Sequence, residues 1–220
     1  MWEYIFSAPV ILAVAPILYV VLRRNVNRWN LALRQFQQTK DHRRFREQLV
    51  PLSQQKLNLV VRMKAQVNLT WIHSHLGESQ EAKDMCLQVI KKNKNLIGTT
   101  MAYAVLVQEL ILEENWDEAM AQWKDAMEIG DADGNKAPED SFKLHLYGYI
   151  LRKEYAEGLQ MLEDAPRSRE HWVQETEAGR FWTWYLQHAS GMDDAAARAR
   201  LEELPVTHQG YLRVLNKDAK

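Results

Sequence analysis

Cysteine is nearly absent. Cys86 is the only one, so neither an intrachain disulfide nor a cysteine-rich zinc site can form within the chain. In a helical stretch a lone cysteine reads as a small buried hydrophobe. Glycine (9) and proline (6) are also scarce in 220 residues, and alternating β-branched runs are few, so a turn-rich β fold is not expected. No G-x-x-x-x-G-K-[ST] phosphate loop, strand-borne G-x-G-x-x-G or G-x-S-x-G nucleophile turn occurs, and H-E-x-x-H is missing. Acidic pairs such as Glu113 and Glu114 lie on polar helix edges and form no recognisable acid/base pair. These absences point away from an enzyme and from any metal or other cofactor. What remains, with 46% hydrophobic residues, is a mostly helical chain with enough apolar material for a core.

The net charge of −1 conceals an asymmetry. Arg23 to Lys64 carries 11 basic residues against Asp41 and Glu47, a net +9, whereas Ala65 to Lys220 carries a net −9. The chain therefore has a basic neck and an acidic body. Ahead of the neck stands "YIFSAPVILAVAPILYVVL", Tyr4 to Leu22, 19 residues without a charge, close to the ~20 that cross a bilayer core as a helix. Pro9 and Pro16 are tolerated in membrane helices, and Trp2, Tyr4 and Tyr19 stand near the ends, where aromatic belts form. A cleaved signal peptide fits less well, because its basic start is missing and the only A-x-A of this stretch, Ala13 to Ala15, is buried in mid-run. The arginines Arg23, Arg24, Arg28 and Arg34 follow the apolar run, so the positive-inside rule places the body in the cytoplasm, anchored to an inner or plasma membrane. They also attract anionic lipid. "RRFREQ" in the neck could track nucleic-acid phosphates, but its position beside the apolar run and the acidic body favour lipid.

The body repeats a phrase. "GESQEAKDMCLQVI" (77–90), "NWDEAMAQWKDAM" (115–127), "EYAEGLQMLEDA" (154–165) and "GMDDAAARARLEEL" (191–204) align on the small residues Ala82, Ala119, Gly158 and Ala196. The near-constant interval between these positions, a little under forty, marks stacked helical hairpins. Each phrase follows an earlier predicted helix: Leu52–Leu76 after Pro51, Thr99–Leu112 after Gly98, Ser141–Leu151 after Pro138, and Glu175–Gln187. In the second phrase Trp116, Ala119, Trp123, Ala126 and Met127 share one face. The small residue invites a close helix crossing, and the two indoles are expected to fill the gaps beside it.

This pattern resembles the tetratricopeptide repeat (TPR) family, whose second helix begins near a Gly-x-x-x-Glu-Ala phrase like Gly77 to Ala82. Trp116 and Tyr155 match the family's aromatic three residues before the small one. The resemblance covers about residues 60–207. The units are longer than that family's usual repeat. Its first-helix glycine site holds Thr70, Val107, Leu146 and Trp184, so "TPR-like" is the apt description. The expected fold is all-α: a TPR-like α-solenoid of about four hairpins (52–207), preceded by the membrane helix (4–22) and the basic neck (23–51) and followed by a tail (208–220).

The resemblance implies a protein-binding scaffold or assembly factor whose first helices grip a peptide or helix of a partner. An accessory subunit of a membrane enzyme or of an envelope-biogenesis complex, or a self-associating solenoid, are the alternatives. Membrane-anchored TPR proteins of lipopolysaccharide regulation share the layout, but carry a cysteine-rich module missing here. If Leu69, Leu106, Leu146 and Trp184 pack within the stack, helix geometry turns Lys64, Asn68, Trp71, Gln108, Lys143, Tyr147, Tyr185 and His188 toward the partner. That mixture suits apolar anchors with some negative charge.

Three further stretches stand out. His73 and His75 are two apart, which on a helix points them to different faces rather than to one metal. "DADGNKAPED" (131–140) fails as a calcium loop, because Gly134 comes too early and Phe142 stands where a glutamate is required; it reads as a solvated inter-repeat loop. "GRFWTWYLQH" (179–188) concentrates Phe181, Trp182, Trp184 and Tyr185. One core cannot take all four, so part of the cluster is expected at the inner groove or against a terminal helix.

Overall fold

The computed structural model describes residues 8–92, 98–133, 138–165, 172–192, 194–203 and 205–218, with side chains from residue 15 onward except 130–133, 138 and 139. Among the described residues every regular element is helical, as the composition predicts. The chain divides into two compact units, 1–69 and 70–220, and the division falls inside one helix.

The first unit contains α1 (Ala8–Thr39), α2 (His42–Ser53) and the start of α3 (Leu59–His75). The hairpin between α1 and α2 turns at Lys40, which adopts a left-handed φ of 54° and donates its N–H to the Phe36 carbonyl at 2.8 Å. Asp41 then caps α2 by accepting the Arg44 N–H at 3.0 Å. Phe36 and Phe45 stack with centroids 4.5 Å apart, and Trp29, Ala32, Leu49 and Leu52 complete a buried seam. Pro51 does not end a helix here, as the sequence suggests; it sits in the last turn of α2, where its missing donor forfeits one bond. The next helix starts later than predicted, at Leu59 rather than Leu52, because Asn58 supplies the cap by accepting the Val61 N–H at 3.0 Å. The predicted membrane span begins within residues 1–7, outside the described residues. Among the described residues no helix is long and apolar enough to cross a membrane.

The second unit continues from α3 through α4 (Ser79–Lys92), α5 (Thr99–Leu112), α6 (Trp116–Asp133), α7 (Pro138–Arg152), α8 (Tyr155–Glu163), α9 (Glu177–Ala189), α10 (Ala195–Glu202) and α11 (Gln209–Asp218), with a helical turn at 172–175 before α9. Four of its connections share one geometry. Gly77, Glu114, Lys153 and Gly191 have φ of 78°, 62°, 61° and 71°, and they follow one another at the same intervals as the four small positions. At each, the left-handed residue donates to the carbonyl three back and its successor donates to the carbonyl five back: Gly77 to Ser74 and Glu78 to His73, Glu114 to Ile111 and Asn115 to Leu110, Lys153 to Ile150 and Glu154 to Tyr149, Gly191 to His188 and Met192 to Gln187, all at 2.9–3.1 Å. This is the Schellman closure, which satisfies the last carbonyls of one helix while reversing the chain into the next. The loop predicted within 131–140 is only partly within view: α6 reaches Asp133 and α7 starts at Pro138, and 134–137 lie outside the described residues.

The small positions are buried in three of the four phrases: Ala82 and Ala119 are fully enclosed, and a Cβ on Gly158 would meet Leu186 at 3.2 Å. In the fourth, Ala196 is exposed and Ala197 is buried instead. The cause is the longer turn, since α10 starts at Ala195, further past its left-handed Gly191 than the other second helices start past theirs, which rotates its faces. The two indoles of α6 also part company. Trp116 is exposed rather than filling a gap. Trp123 packs as expected: its Nε1 donates to the Leu144 carbonyl at 2.8 Å, and its ring lies where a Cβ on Gly148 would be only 2.6 Å away. Cys86 is fully buried, and burial pushes its thiol far above the ordinary range.

The left-handed residues give a test. Lys153→Gly removes the steric penalty of that conformation from an exposed turn and is expected to stabilise the chain by about 1 kcal/mol. Gly77→Ala is expected to destabilise it, because the new Cβ would stand 2.7 Å from the Gln209 Cβ. Urea melts of the chain check both signs; equal midpoints for the two variants would refute the turn geometry.

Candidate functional site

The first helices of the hairpins, α3, α5, α7 and α9, bury Leu69, Leu106, Leu146 and Trp184 as the sequence predicts. Ser74, Gln108 and Phe181 of those helices meet an element that the sequence reading took for a tail. Residues 208–218 are not a tail: they form α11 and the residue before it, burying His208, Gly210, Tyr211 and Leu215. His208, Tyr211 and Leu215 fall at i, i+3 and i+7, one helical face, and the period was legible in "HQGYLRVL" once a helix was looked for there.

That face is bound through a buried polar network. The Tyr147 hydroxyl of α7 and the Tyr211 hydroxyl of α11 both donate to Gln108 Oε1 of α5, at 2.9 and 3.1 Å. Those two donations orient the Gln108 amide, whose Nε2 faces Ser74 Oγ at 3.4 Å. The Gly210 N–H donates to His208 Nδ1 at 3.2 Å, which assigns the neutral ring's proton to Nε2, 3.1 Å from Ser74 Oγ. Ser74 in turn donates to Glu109 Oε1 at 2.6 Å. The order matters chemically. In a nucleophile triad the imidazole sits between hydroxyl and carboxylate, whereas here the fully buried Ser74 sits between them and its proton is held by the carboxylate. The arrangement therefore binds and orients; it does not activate an exposed hydroxyl.

Aromatic stacking runs alongside. Phe181 of α9 stacks on Tyr211 with centroids 4.0 Å apart and planes at 10°. Tyr211 stacks in turn on His208 at 4.0 Å, and His75 meets His208 edge-on at 5.3 Å. At the start of α11, Glu177 accepts the Thr207 and His208 backbone N–H groups at 2.9 and 2.6 Å and the Thr207 hydroxyl at 3.0 Å. A carboxylate there also suits the positive end of a helix. At the far end His188 reaches Asp218 at 3.1 Å, and Lys217 pairs with Glu114 at 2.9 Å.

The eight residues selected from sequence divide accordingly. Lys64 and Asn68 lie in the first unit, where Asn68 donates back to the Lys64 carbonyl. Gln108 and Tyr147 are brought together, but in the interior, 8% and 1% exposed. Gln108 meets Tyr211 of α11, and Tyr147 meets Gln108 and Trp182, so in this structure both are engaged within the chain. Tyr185 is half-buried beside Phe181 and Trp182, its hydroxyl pushed up to about 12 by burial. His188 is bridged between Asp194 and Asp218, Trp71 lies 5.7 Å from the His75 ring, and Lys143 pairs with Asp140. Phe181, Trp182 and Trp184 are all buried, since α9 is covered on two sides: Tyr211 takes Phe181, and Arg198 of α10 lies over Trp184 at 5.4 Å. Of the two histidines in "HSH", His73 pairs with Glu78 and His75 with Thr207, on different faces as predicted. Among the described residues no cluster of side chains could hold a metal ion.

Comparison of the chain with protein-family models, with curated proteins and with solved structures gives no match.

Glu109 makes the network testable. Burial lifts its carboxyl above the ordinary value of 4.5, and Oε2 lacks a hydrogen-bond partner among the described residues. The folded chain thus holds that proton more tightly than the unfolded chain. The associated stability is present below the unfolded value and is lost as pH rises through the folded one. Glu109→Gln keeps an acceptor for Ser74 without a charge. It is expected to stabilise the chain at pH 7 by about 1 kcal/mol or more, an increase of about 2–4 °C in melting temperature. The difference should shrink as pH falls toward 4.5. A pH-independent difference would refute the assignment.

Proposed function

We propose that this chain is a membrane-anchored protein-interaction scaffold, with a TPR-like helical array in the cytoplasm that binds a helical or peptide segment of a partner. The observation that carries the reading is the convergence of side chains from three first helices, Ser74, Gln108 and Phe181, on one helix, α11, with Tyr147 of the fourth bound to the same Gln108 oxygen as Tyr211. Surfaces of this type arise from stacked hairpins, each of which contributes one helix to a shared face. Preorganised polar groups with aromatic anchors are what selective recognition of a helix needs.

The anchor is supported by the start of α1. Ile17, Leu18, Tyr19 and Val20 are 67%, 40%, 61% and 61% exposed, an apolar surface suited to lipid. Arg23, Arg24 and Arg28 follow on the same continuous helix, and the Arg23 guanidinium lies 6.0 Å over the Tyr19 ring. An apolar helix end followed by arginines and tyrosine fits a membrane boundary with anionic lipid on the arginine side.

Two measurements test this function. A reporter that fluoresces only in the cytoplasm, fused after Lys220, is expected to be bright; a dark fusion with an active periplasmic counterpart would reverse the orientation. Photo-crosslinking side chains placed at Trp71, Lys143 or Tyr185 are expected to capture one heterologous protein, while the exposed positions Gln80 and Lys124 capture none. Capture only of further copies of the chain, or the same yield from every position, would overturn the scaffold reading.

A further inference from the structure

The pairing of α11 with the first helices has the features of a complex rather than of a core. A helix of 10 residues is too short to persist alone in water. It is preceded by residues 205–208, which are not helical and in which Pro205 and Thr207 are exposed. Its buried face relies on hydrogen bonds and stacking as much as on aliphatic packing: Tyr211 to Gln108, His208 beside Ser74, and the His208–Tyr211–Phe181 stack. Polar, geometrically specific contacts of this kind resemble exchangeable interfaces, which are more polar than domain cores. The outer end is held by surface charge pairs, Lys217 with Glu114 and His188 with Asp218, and such pairs contribute little and are screened by salt.

From this geometry we infer that the inner face of the second unit is a helix receptor, that α11 is its tethered ligand, and that the partner is a helix of another protein with matching chemistry which displaces α11. The occupant specifies that chemistry. The partner helix carries an imidazole, a phenol three residues later and a leucine four residues after that, as His208, Tyr211 and Leu215 do. Its first backbone N–H groups are offered to Glu177, and a carboxylate near its end faces His188. Close approach is needed where Gly210 sits, since a Cβ there would lie 2.9 Å from Leu112 Cδ1, so the residue just before the phenol is small. The inference rests on the scaffold reading and adds that the scaffold is closed by its own α11 until a competitor arrives. The tether favours the closed form, because an attached segment is present at a high effective concentration; any change that weakens α11 should therefore raise affinity for a helix supplied in trans.

The test uses the full chain in detergent micelles and a dye-labelled synthetic peptide of residues 205–220, followed by fluorescence anisotropy. The unaltered chain is expected to bind the peptide weakly. Tyr211→Ala in the chain is expected to tighten binding at least tenfold, and the same substitution in the peptide to weaken it at least tenfold. Because Tyr211→Ala could disturb folding, a second chain carrying Lys217→Glu and Asp218→Lys loosens only the surface end and is expected to bind the peptide several-fold more tightly than the unaltered chain. Hydrogen exchange of the unaltered chain supplies an independent reading: amides of 211–217 are expected to exchange at least 100-fold faster than those of 104–111, as a locally opening segment does. No peptide binding by either altered chain, or equal protection of the two segments, would overturn the displacement mechanism. If crosslinks at Trp71, Lys143 and Tyr185 still captured a partner in that case, the scaffold reading would stand without it.

Discussion

The second unit depends on the amide of Gln108. Its oxygen receives two phenol hydroxyls, one from α7 and one from α11, so a single side chain of α5 fixes the positions of both neighbours. A glutamine at this depth is costly unless both ends of the amide are engaged. Here the phenols hold the oxygen, and Ser74 lies within reach of the nitrogen. Once the amide is oriented, the rest of the network follows: Ser74 is committed to Glu109, the imidazole of His208 faces Ser74, and Tyr211 is held flat against Phe181. The polar network therefore specifies how α11 lies, with Leu106, Leu146 and Trp184 buried in the same unit.

The four left-handed turns make that convergence feasible. Each reverses the chain within a few residues and satisfies two carbonyls as it does so, so successive first helices present equivalent faces. Two of the turns use glycine and two use charged residues, which means that the geometry is imposed by hairpin packing where the local sequence does not favour it. Close packing reinforces the same register. The Trp123 ring fills the space above Gly148, and Arg152 covers both Trp123 and Tyr149 with its guanidinium 5.2 Å from each ring.

The first unit follows a different logic. Its seam is aromatic and aliphatic, with Phe36 on Phe45 and Trp29 buried nearby, and two amide side chains fasten the ends of its helices. Asn25 donates to Gln55 at 3.2 Å, and Asn58 both caps α3 and approaches the Leu22 carbonyl at 3.5 Å. Leu57, Leu59 and Val60 are exposed on this unit.

The sequence by itself determined the all-helical class, the hairpin period and three of the four buried small positions, because these are read from spacing along one chain. Helix geometry also singled out Gln108, which the structure places against α11. Tertiary structure alone decided what it meets. Nothing local marks Tyr211 as the partner of the distant Gln108, or Glu177 as the cap of a helix that starts only at Gln209. The same holds for Trp116, whose spacing matches the packed Trp123 but which stays exposed. Periodicity states which side chains share a face; only the folded chain states whether another element covers it.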